Sequence, residues 1–131
     1  LYKLCAEVID QFEEKAEKKK IRLKMAHEPH NKLMVHADWQ RITQVITNLV
    51  SNAINYTPEG GEVTIRFEAT KKNITTLVSD TGEGIPPQHI HRIFERFYRV
   101  DKSRSREKGG TGLGLAIVKH ILEGHNTRAE V

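Results

Sequence analysis

The chain has 131 residues, of which 37% are hydrophobic and 29% are charged, and its formal net charge is +4. These values predict one globular domain with a hydrophobic core and exclude a disordered or fibrous protein. No apolar run is long enough to cross a bilayer, and no secretory signal pattern is present. The single cysteine, Cys5, excludes an internal disulfide bond and suits a reducing compartment. Its place on an apolar helix face predicts a core residue.

Hydrophobic periodicity predicts the elements along the chain. The first is an amphipathic helix with apolar residues at Leu4, Val8, Ile9, Phe12 and Ala16. Further helices are predicted at Trp39–Tyr56, around Gln88–Phe94 and at Leu113–Glu123. Strands are predicted near Ile21–Met25 and Leu33–His36, at Glu62–Ala69 and Ile74–Ser79, and from about residue 128. Helices on one face of a mixed, mostly antiparallel sheet would make a two-layer α/β sandwich of the α+β class.

An acidic residue followed by two glycines stands at the exit of the strand that begins at Ile74. Asp80 offers carboxylate oxygens to which the exocyclic amine of an adenine can donate. Gly82 and Gly84 remove side chains, so that the backbone can approach a flat base. The spacing matches neither the dinucleotide fingerprint nor the Walker phosphate loop. By itself, the pattern is equally typical of a surface turn.

A glycine-rich turn opens the last predicted helix. Gly110, Gly112 and Gly114 expose successive backbone N–H groups where orphan donors and the helix dipole favour a phosphate. Together with Asp80, this turn predicts the two halves of a nucleotide site.

Two asparagines share one face of the predicted helix Trp39–Tyr56. Asn48 and Asn52 are four residues apart and therefore one turn from each other. Carboxamide oxygens suit Mg²⁺, which takes few protein ligands besides substrate phosphates. Without the glycine motifs, the pair would indicate only a solvent-exposed helix face.

These motifs and the segment Phe94–Arg99 resemble the ATP-binding boxes of bacterial sensor histidine kinases, in the family's order and over about residues 38–119. The resemblance implies the catalytic ATP-binding domain of a two-component kinase. It also implies the Bergerat-type fold, which Hsp90-type chaperones, type II topoisomerases and mismatch-repair ATPases share. The run of residues 97–106 is most similar to the phosphate-sensing and cell-wall-sensing branches.

The resemblance implies a role for each matched residue. Asn52 is expected to bind Mg²⁺ with Asn48 beside it, Tyr56 to lie against the adenine of ATP, and Asp80 to accept from its amino group. Arg99 is a candidate phosphate contact. The other expected ATP-binding residues are Gly82, Gly84, Ile85, Phe97, Gly110, Thr111, Gly112, Leu113, Gly114 and Leu115. A lid is expected at about residues 86–110, fastened by Phe94 and Phe97.

Asn55 departs from the family pattern, in which many members have Lys at this position. A cation at the phosphates is therefore either missing or supplied by Arg96, Arg99 or the lid. Asn48 stands where ATP-hydrolysing relatives carry a Glu that activates water. Because an amide takes no proton near neutral pH, the resemblance implies a domain that shields the γ-phosphate from water and delivers it to a histidine.

Positive charge gathers in two segments, at residues 15–24 and 96–108. The first is interleaved with glutamates, which predicts a solvated face with internal ion pairs. The second lies between the glycine motifs and suits a triphosphate. No stacking aromatics or recognition motif accompanies it, so nucleic-acid binding is not expected.

We expect a single catalytic domain over residues 1–131, truncated at its C-terminus. None of its seven histidines lies in a phosphoacceptor pattern, and His89 and His91 are predicted to be surface histidines. The fragment is therefore expected to be monomeric and unable to phosphorylate itself. The expected parent is a homodimer anchored in the bacterial cell membrane, with this domain in the cytoplasm. The expected partners are the parent's dimerisation and phosphoacceptor domain and a response regulator.

Two alternatives remain open. One is a serine kinase of the anti-sigma-factor type, which transfers phosphate to a protein serine. The other is a nucleotide-responsive interaction module without kinase activity, in keeping with Asn55.

Overall fold

The computed structural model describes residues 1–26, 33–100 and 111–131. The chain divides into two compact units, residues 1–83 and 84–131, which are described in turn. The expectation of a single domain over the whole chain stays a prediction.

The first unit combines two helices with a three-stranded sheet. Helix α1 spans Tyr2–Lys18 and helix α2 spans Trp39–Tyr56. The strands are β1 (Arg22–Met25), β2 (Glu62–Ala69) and β3 (Ile74–Asp80). Strand β2 is central, parallel to β1 and antiparallel to β3. This mixed sheet with its helices confirms the predicted α+β class.

The core of this unit lies on the face of β2 that the alternation of the strand predicts. Val63 and Ile65 are fully buried. Phe67, on the same face, contacts the ring of Tyr2 in α1, with 5.8 Å between the ring centroids. Cys5 of α1 is fully buried, and this burial raises the pKa of its thiol to about 11. The thiol is therefore protonated and unreactive at neutral pH, as expected of a core residue.

Helix α1 ends in a Schellman motif that is built on a lysine. The N–H of Lys20 donates to the carbonyl of Glu17 at 2.9 Å, and the N–H of Ile21 donates to the carbonyl of Ala16 at 2.8 Å. These two bonds define the motif. Lys20 has a φ of 54°, in the left-handed region that favours glycine.

The second unit contains two helices. Helix α3 is a single turn, Pro87–Ile90, and helix α4 spans Gly114–Gly124. Residues 91–98 continue from α3 as successive turns, in which Arg92 and Glu95 each donate to the carbonyl three residues earlier at 2.9 Å. Helix α4 ends at Gly124, and Asn126 beyond it has a left-handed φ of 54°.

The predicted elements are largely confirmed, and three of them are corrected. The helix predicted around Gln88–Phe94 is wrong beyond Ile90, because three-residue turns replace it. The strand predicted at Leu33–His36 is wrong because it pairs with no described strand, and Met34 is 77% exposed there. The strand expected from residue 128 is not formed, since no described strand pairs with residues 128–131. Among the residues that the structure describes, no helix has the length and apolarity to span a membrane.

The left-handed backbone of Lys20, at the end of α1, predicts how substitutions there change the stability of the protein. Replacing Lys20 by Gly should remove the strain of a left-handed side chain, whereas Lys20→Ala should keep that strain. Both variants lose the ion pair of Lys20 with Glu59, so their difference isolates the backbone effect. We expect the Gly variant to be more stable than the Ala variant by about 1 kcal/mol in urea unfolding. Equal stability of the two variants would contradict the assigned backbone conformation.

Candidate functional site

Asp80 is the last residue of β3, and its carboxylate turns back onto the chain. Its Oδ1 accepts a hydrogen bond from the N–H of Gly82 at 2.8 Å, which is an Asx-type turn. The Asp80 side chain makes no other hydrogen bond or ion pair with any described residue, and the residue is exposed. The turn therefore holds the carboxylate in place and leaves Oδ2 able to accept from a ligand.

Gly82 stands where a side chain would collide with the end of α2. A Cβ on Gly82 would lie 2.6 Å from the carbonyl oxygen of Tyr56 and 2.7 Å from Oδ1 of Asp80. The structure thus brings Tyr56 and Asp80 together, as the sequence analysis expected for an adenine site. The Tyr56 side chain is 48% exposed. We call Tyr56, Asp80 and Gly82 the strand-exit corner.

Gly84 and Ile85 begin the second unit. Gly84 has a φ of 74°, and a Cβ placed on it would meet no atom within 4 Å. Glycine is required here by the backbone conformation and at Gly82 by close approach. Ile85 is 37% exposed.

Three asparagines form a stripe along α2. Asn48, Asn52 and Asn55 are separated by four and three residues, so helix geometry places them on one face. All three are half-buried. We call them the asparagine stripe. The side chains of Asn48 and Asn52 make no hydrogen bond with any residue that the structure describes, so their side-chain oxygens are open to a ligand.

The asparagine stripe is suited to Mg²⁺ that is already bound to a nucleotide. Within residues 1–26, 33–100 and 111–131, no group of three or more His, Cys, Asp or Glu side chains is placed to hold a metal ion. The stripe instead offers neutral oxygens, which are suited to a hard cation that brings its own phosphate ligands. The donors therefore fit a magnesium–nucleotide complex better than an isolated ion.

Two lysines of α1 reach the end of the asparagine stripe. The Nζ of Lys15 donates to Oδ1 of Asn55 at 2.8 Å. The Nζ of Lys19 donates to the carbonyls of Ile54 and Asn55 at 2.8 and 3.0 Å, which belong to the negative end of α2. Both lysines belong to the basic segment that is predicted to be a solvated face. Their spacing of four residues puts them on one face of α1 but does not reveal which helix that face meets.

Phe97 and Gly112 touch through their backbones and so join the two ends of the segment between them. The N–H of Phe97 donates to the carbonyl of Gly112 at 2.9 Å, and a Cβ on Gly112 would lie 2.9 Å from the Cα of Phe97. Their φ values are 62° and 73°. We call this pair the neck. Phe97 is 70% exposed, and its contact with Gly112 is made by the backbone.

A polar cluster lies before the neck. The Nδ1 of His89 is hydrogen-bonded to the hydroxyl of Tyr98, and the Arg92 guanidinium lies 4.3 Å from the centroid of the Tyr98 ring. A hydrogen bond from Arg92 to Glu95, at 3.1 Å, holds the pKa of that carboxyl below its usual value. His89, predicted to be a surface histidine, is half-buried, whereas His91 is exposed. Arg99, the candidate phosphate contact, is also half-buried.

Helix α4 begins within the glycine-rich turn, as predicted. Its first residue is Gly114, followed by Leu115, and the helix has 11 residues. The N–H of Leu113 donates to Oγ1 of Thr111 at 3.4 Å. The N–H groups of the first helical turn have no acceptor within the helix and can receive an anion. Gly110, with the part of the expected lid from residue 101, lies outside the described residues.

The family comparison covers most of the chain. Residues 37–131 match the sequence profile of the family described as histidine kinase-, DNA gyrase B-, and HSP90-like ATPase. The chain belongs to this ATPase family. Members of the family bind ATP. The asparagine stripe, the strand-exit corner and the neck all lie in the matched part of this ATPase domain, whereas α1 precedes it.

The relatives of the ATPase domain include sensor kinases. It is 46% identical over 99 residues to the sensor histidine kinase WalK of Bacillus subtilis, a match that covers 74% of this chain and 16% of the relative. It is 51% identical over 90 residues to the phosphate regulon sensor protein PhoR of Pseudomonas aeruginosa, covering 69% of this chain and 20% of the relative. The chain therefore spans a small part of the length of these relatives.

Solved structures similar to the ATPase domain are histidine kinase catalytic domains. The nucleotide-free catalytic domain of histidine kinase ThkA has a TM-score of 0.80 at 38% identity, covering 95% of this chain and 77% of that one. Full-length ShkA in complex with AMPPNP has a TM-score of 0.78 at 31% identity, covering 94% and 25%. ThkA in complex with the response regulator TrrA has a TM-score of 0.79 at 32% identity, covering 97% and 34%. The resemblance to histidine kinases and the Bergerat-type fold are confirmed, and the domain is of the kinase catalytic type.

The two glycines at the exit of β3 are expected to respond differently to substitution by alanine. Gly82→Ala must push apart Tyr56 and Asp80, and we expect a loss of about 2 kcal/mol in the free energy of unfolding. Gly84→Ala meets no atom and should lose only about 1 kcal/mol, from its left-handed backbone. Urea unfolding of both variants measures the difference. A Gly82→Ala variant as stable as the native chain would contradict the close approach at the strand-exit corner.

Proposed function

We propose that this domain binds ATP with Mg²⁺ and transfers the γ-phosphate to a histidine on the dimerisation and phosphoacceptor domain of its parent protein. The observation that carries the proposal is the strand-exit corner, in which Asp80 is held by Gly82 next to Tyr56. Membership of an ATP-binding family and similarity to histidine kinase catalytic domains support it.

Adenine recognition would rest on the strand-exit corner. The Gly82 N–H occupies Oδ1 of Asp80, so Oδ2 would accept the hydrogen bond from the adenine amino group. A carboxylate accepts at both oxygens and donates at neither. It therefore favours a base edge that donates over one that presents a carbonyl. The exposed ring of Tyr56, on the adjoining end of α2, would supply a flat apolar surface for the base.

Phosphate and metal binding would use the asparagine stripe. Asn52 would hold Mg²⁺ through its carboxamide oxygen, with Asn48 beside it. Bound Mg²⁺ supplies charge neutralisation at the phosphates. We also assign the phosphates to the N–H groups at the start of α4, to Thr111 and Gly112, and to Arg99, on the strength of the sequence resemblance.

The same stripe argues against ATP hydrolysis. Asn48, Asn52 and Asn55 are all carboxamides, and none can take a proton from water near neutral pH. Phosphoryl transfer mainly requires positioning and charge neutralisation from the protein. The domain is therefore suited to retain ATP until a separate nucleophile arrives, which we propose to be the histidine of the phosphoacceptor domain.

The proposal includes a response regulator and the dimeric state of the parent protein. ThkA is solved in complex with a response regulator, and we propose that the parent of this domain acts on a response regulator too. We further propose that the parent is a membrane-anchored homodimer with this domain in the cytoplasm, and that the isolated domain is a monomer.

ATP binding is tested with Asp80→Asn. The carboxamide oxygen can still accept from Gly82, but the other position becomes an NH₂ donor that faces the donating amine of adenine. We expect ATP to bind about tenfold to a hundredfold more weakly in calorimetric titrations with AMPPNP and Mg²⁺. Asp10→Asn, an exposed change of the same kind on α1, should bind normally. Unchanged affinity in a folded Asp80→Asn variant would remove Asp80 from the site.

The transferred phosphate is tested in the full-length parent. Incubation with γ-labelled ATP should give a phosphoprotein that acid hydrolyses and alkali preserves, because a phosphoramidate on histidine has this stability. Asn52→Ala should abolish the labelling. A phosphate that survives acid and is lost in alkali would identify a serine kinase. ATP binding without any labelling would identify an interaction module.

A further inference from the structure

We propose that Lys15 of α1 supplies the positive charge at the ATP phosphates, through its contact with Asn55. The inference rests on the ATP binding proposed above and names the cation that residue 55 does not provide.

The lysines near the end of α1 differ in what compensates their charge. The acceptors are Glu14 for Lys18 at 2.6 Å, Glu59 for Lys20 at 2.9 Å, and the last carbonyls of α2 for Lys19. Lys15 makes no ion pair with any residue that the structure describes. Its Nζ donates instead to the neutral carboxamide of Asn55 at 2.8 Å. A full positive charge is therefore held against an uncharged acceptor.

The position of this charge connects it with the asparagine stripe. Asn55 lies three residues after Asn52 on the same helix face, a spacing that separates Cβ atoms by about 5–6 Å. The ammonium of Lys15, in hydrogen-bond contact with Asn55, stands at the end of a row of open side-chain oxygens and amides. A ligand that lies along this row meets neutral groups at Asn48 and Asn52 and a cation at its end.

The chemistry of the row selects a polyphosphate with its metal. A lysine ammonium has three N–H donors, and Asn55 takes one of them. The other two can donate to phosphate oxygens, and such charge-assisted hydrogen bonds are about twice as strong as neutral ones. The Nζ also lies 5.9 Å from the centroid of the Phe12 ring on the same helix. This contact and Asn55 both restrict the side chain and lower the entropic cost of ordering it on a ligand.

The test compares two ligands that differ only in their phosphates. Lys15→Gln keeps two of the four methylene groups and an N–H donor for Asn55 but removes the charge. We expect it to weaken MgATP by about tenfold in calorimetric titrations and to leave adenosine affinity unchanged. The deficit should shrink at high ionic strength, because salt screens an exposed charge. Lys18→Gln, an exposed change one turn further along α1, is the matched control and should bind both ligands normally.

A second variant separates charge from helix packing. The double variant Lys15→Gln with Asn55→Lys moves the cation to the other side of the contact. We expect it to bind MgATP within about threefold of the native affinity, which leaves a difference in binding free energy of less than about 1 kcal/mol. If Lys15 only holds α1 against α2, urea unfolding will show a destabilised Lys15→Gln variant, and adenosine will lose as much affinity as MgATP. That result would overturn the inference.

The remaining outcomes distinguish this inference from the proposed function. Equal MgATP affinity in Lys15→Gln and the native chain overturns the role of Lys15 and leaves ATP binding intact. Equal losses for MgATP and adenosine also overturn it, because the defect would then lie outside the phosphates. A native chain that binds neither ligand refutes the proposed function, and the inference with it.

Discussion

The candidate site depends on the close approach between the end of α2 and the exit of β3. Thr57, which follows α2, is fully buried, and its hydroxyl donates to the carbonyl of Ala53 at 2.6 Å. A Cβ on Gly61 would lie 2.3 Å from a methyl carbon of Thr57, and one on Gly82 would lie 2.6 Å from the carbonyl of Tyr56. Two glycines thus allow the helix end and the strand exit to meet. Because the asparagine stripe belongs to the same helix, this contact also sets its distance from Asp80.

Helix α1 stabilises this arrangement from the other side. Its apolar face joins the core, and its last turns bring Lys15 and Lys19 to the C-terminal end of α2, where unpaired carbonyls and the helix dipole favour positive charge. The family profile begins at residue 37, so these lysines lie outside the segment that defines the family. Two proteins with the same motifs can therefore differ in charge beside the asparagine stripe through a helix that no motif includes.

The glycines of the motifs are required for different physical reasons. Gly82 permits close approach, Gly84 permits a left-handed backbone, and Gly112 requires both, because it meets the backbone of Phe97 at the neck. Phe97 also has a left-handed backbone conformation, although it is not a glycine. Its backbone N–H donates to the carbonyl of Gly112 across the neck. A pattern of glycines in the sequence therefore does not show how each position would respond to substitution.

Much of the fold and the chemistry of the site could be predicted from local signals in the sequence. The period of apolar residues identified α2 and β2 with their ends, since amphipathic helices and strands repeat on a scale of a few residues. The start of α2 is also set locally, since the carboxylate of Asp38 accepts from the N–H of Arg41 at 3.0 Å. Only the tertiary structure showed that residues 33–36 form no strand and that Lys15 meets Asn55, because each depends on a partner distant along the chain. The sequence by itself determined the motifs and the helices and strands that contain them, because both depend on neighbours a few residues away, and the packing of α1 and β3 against α2 decided which candidate residues of the first unit lie together.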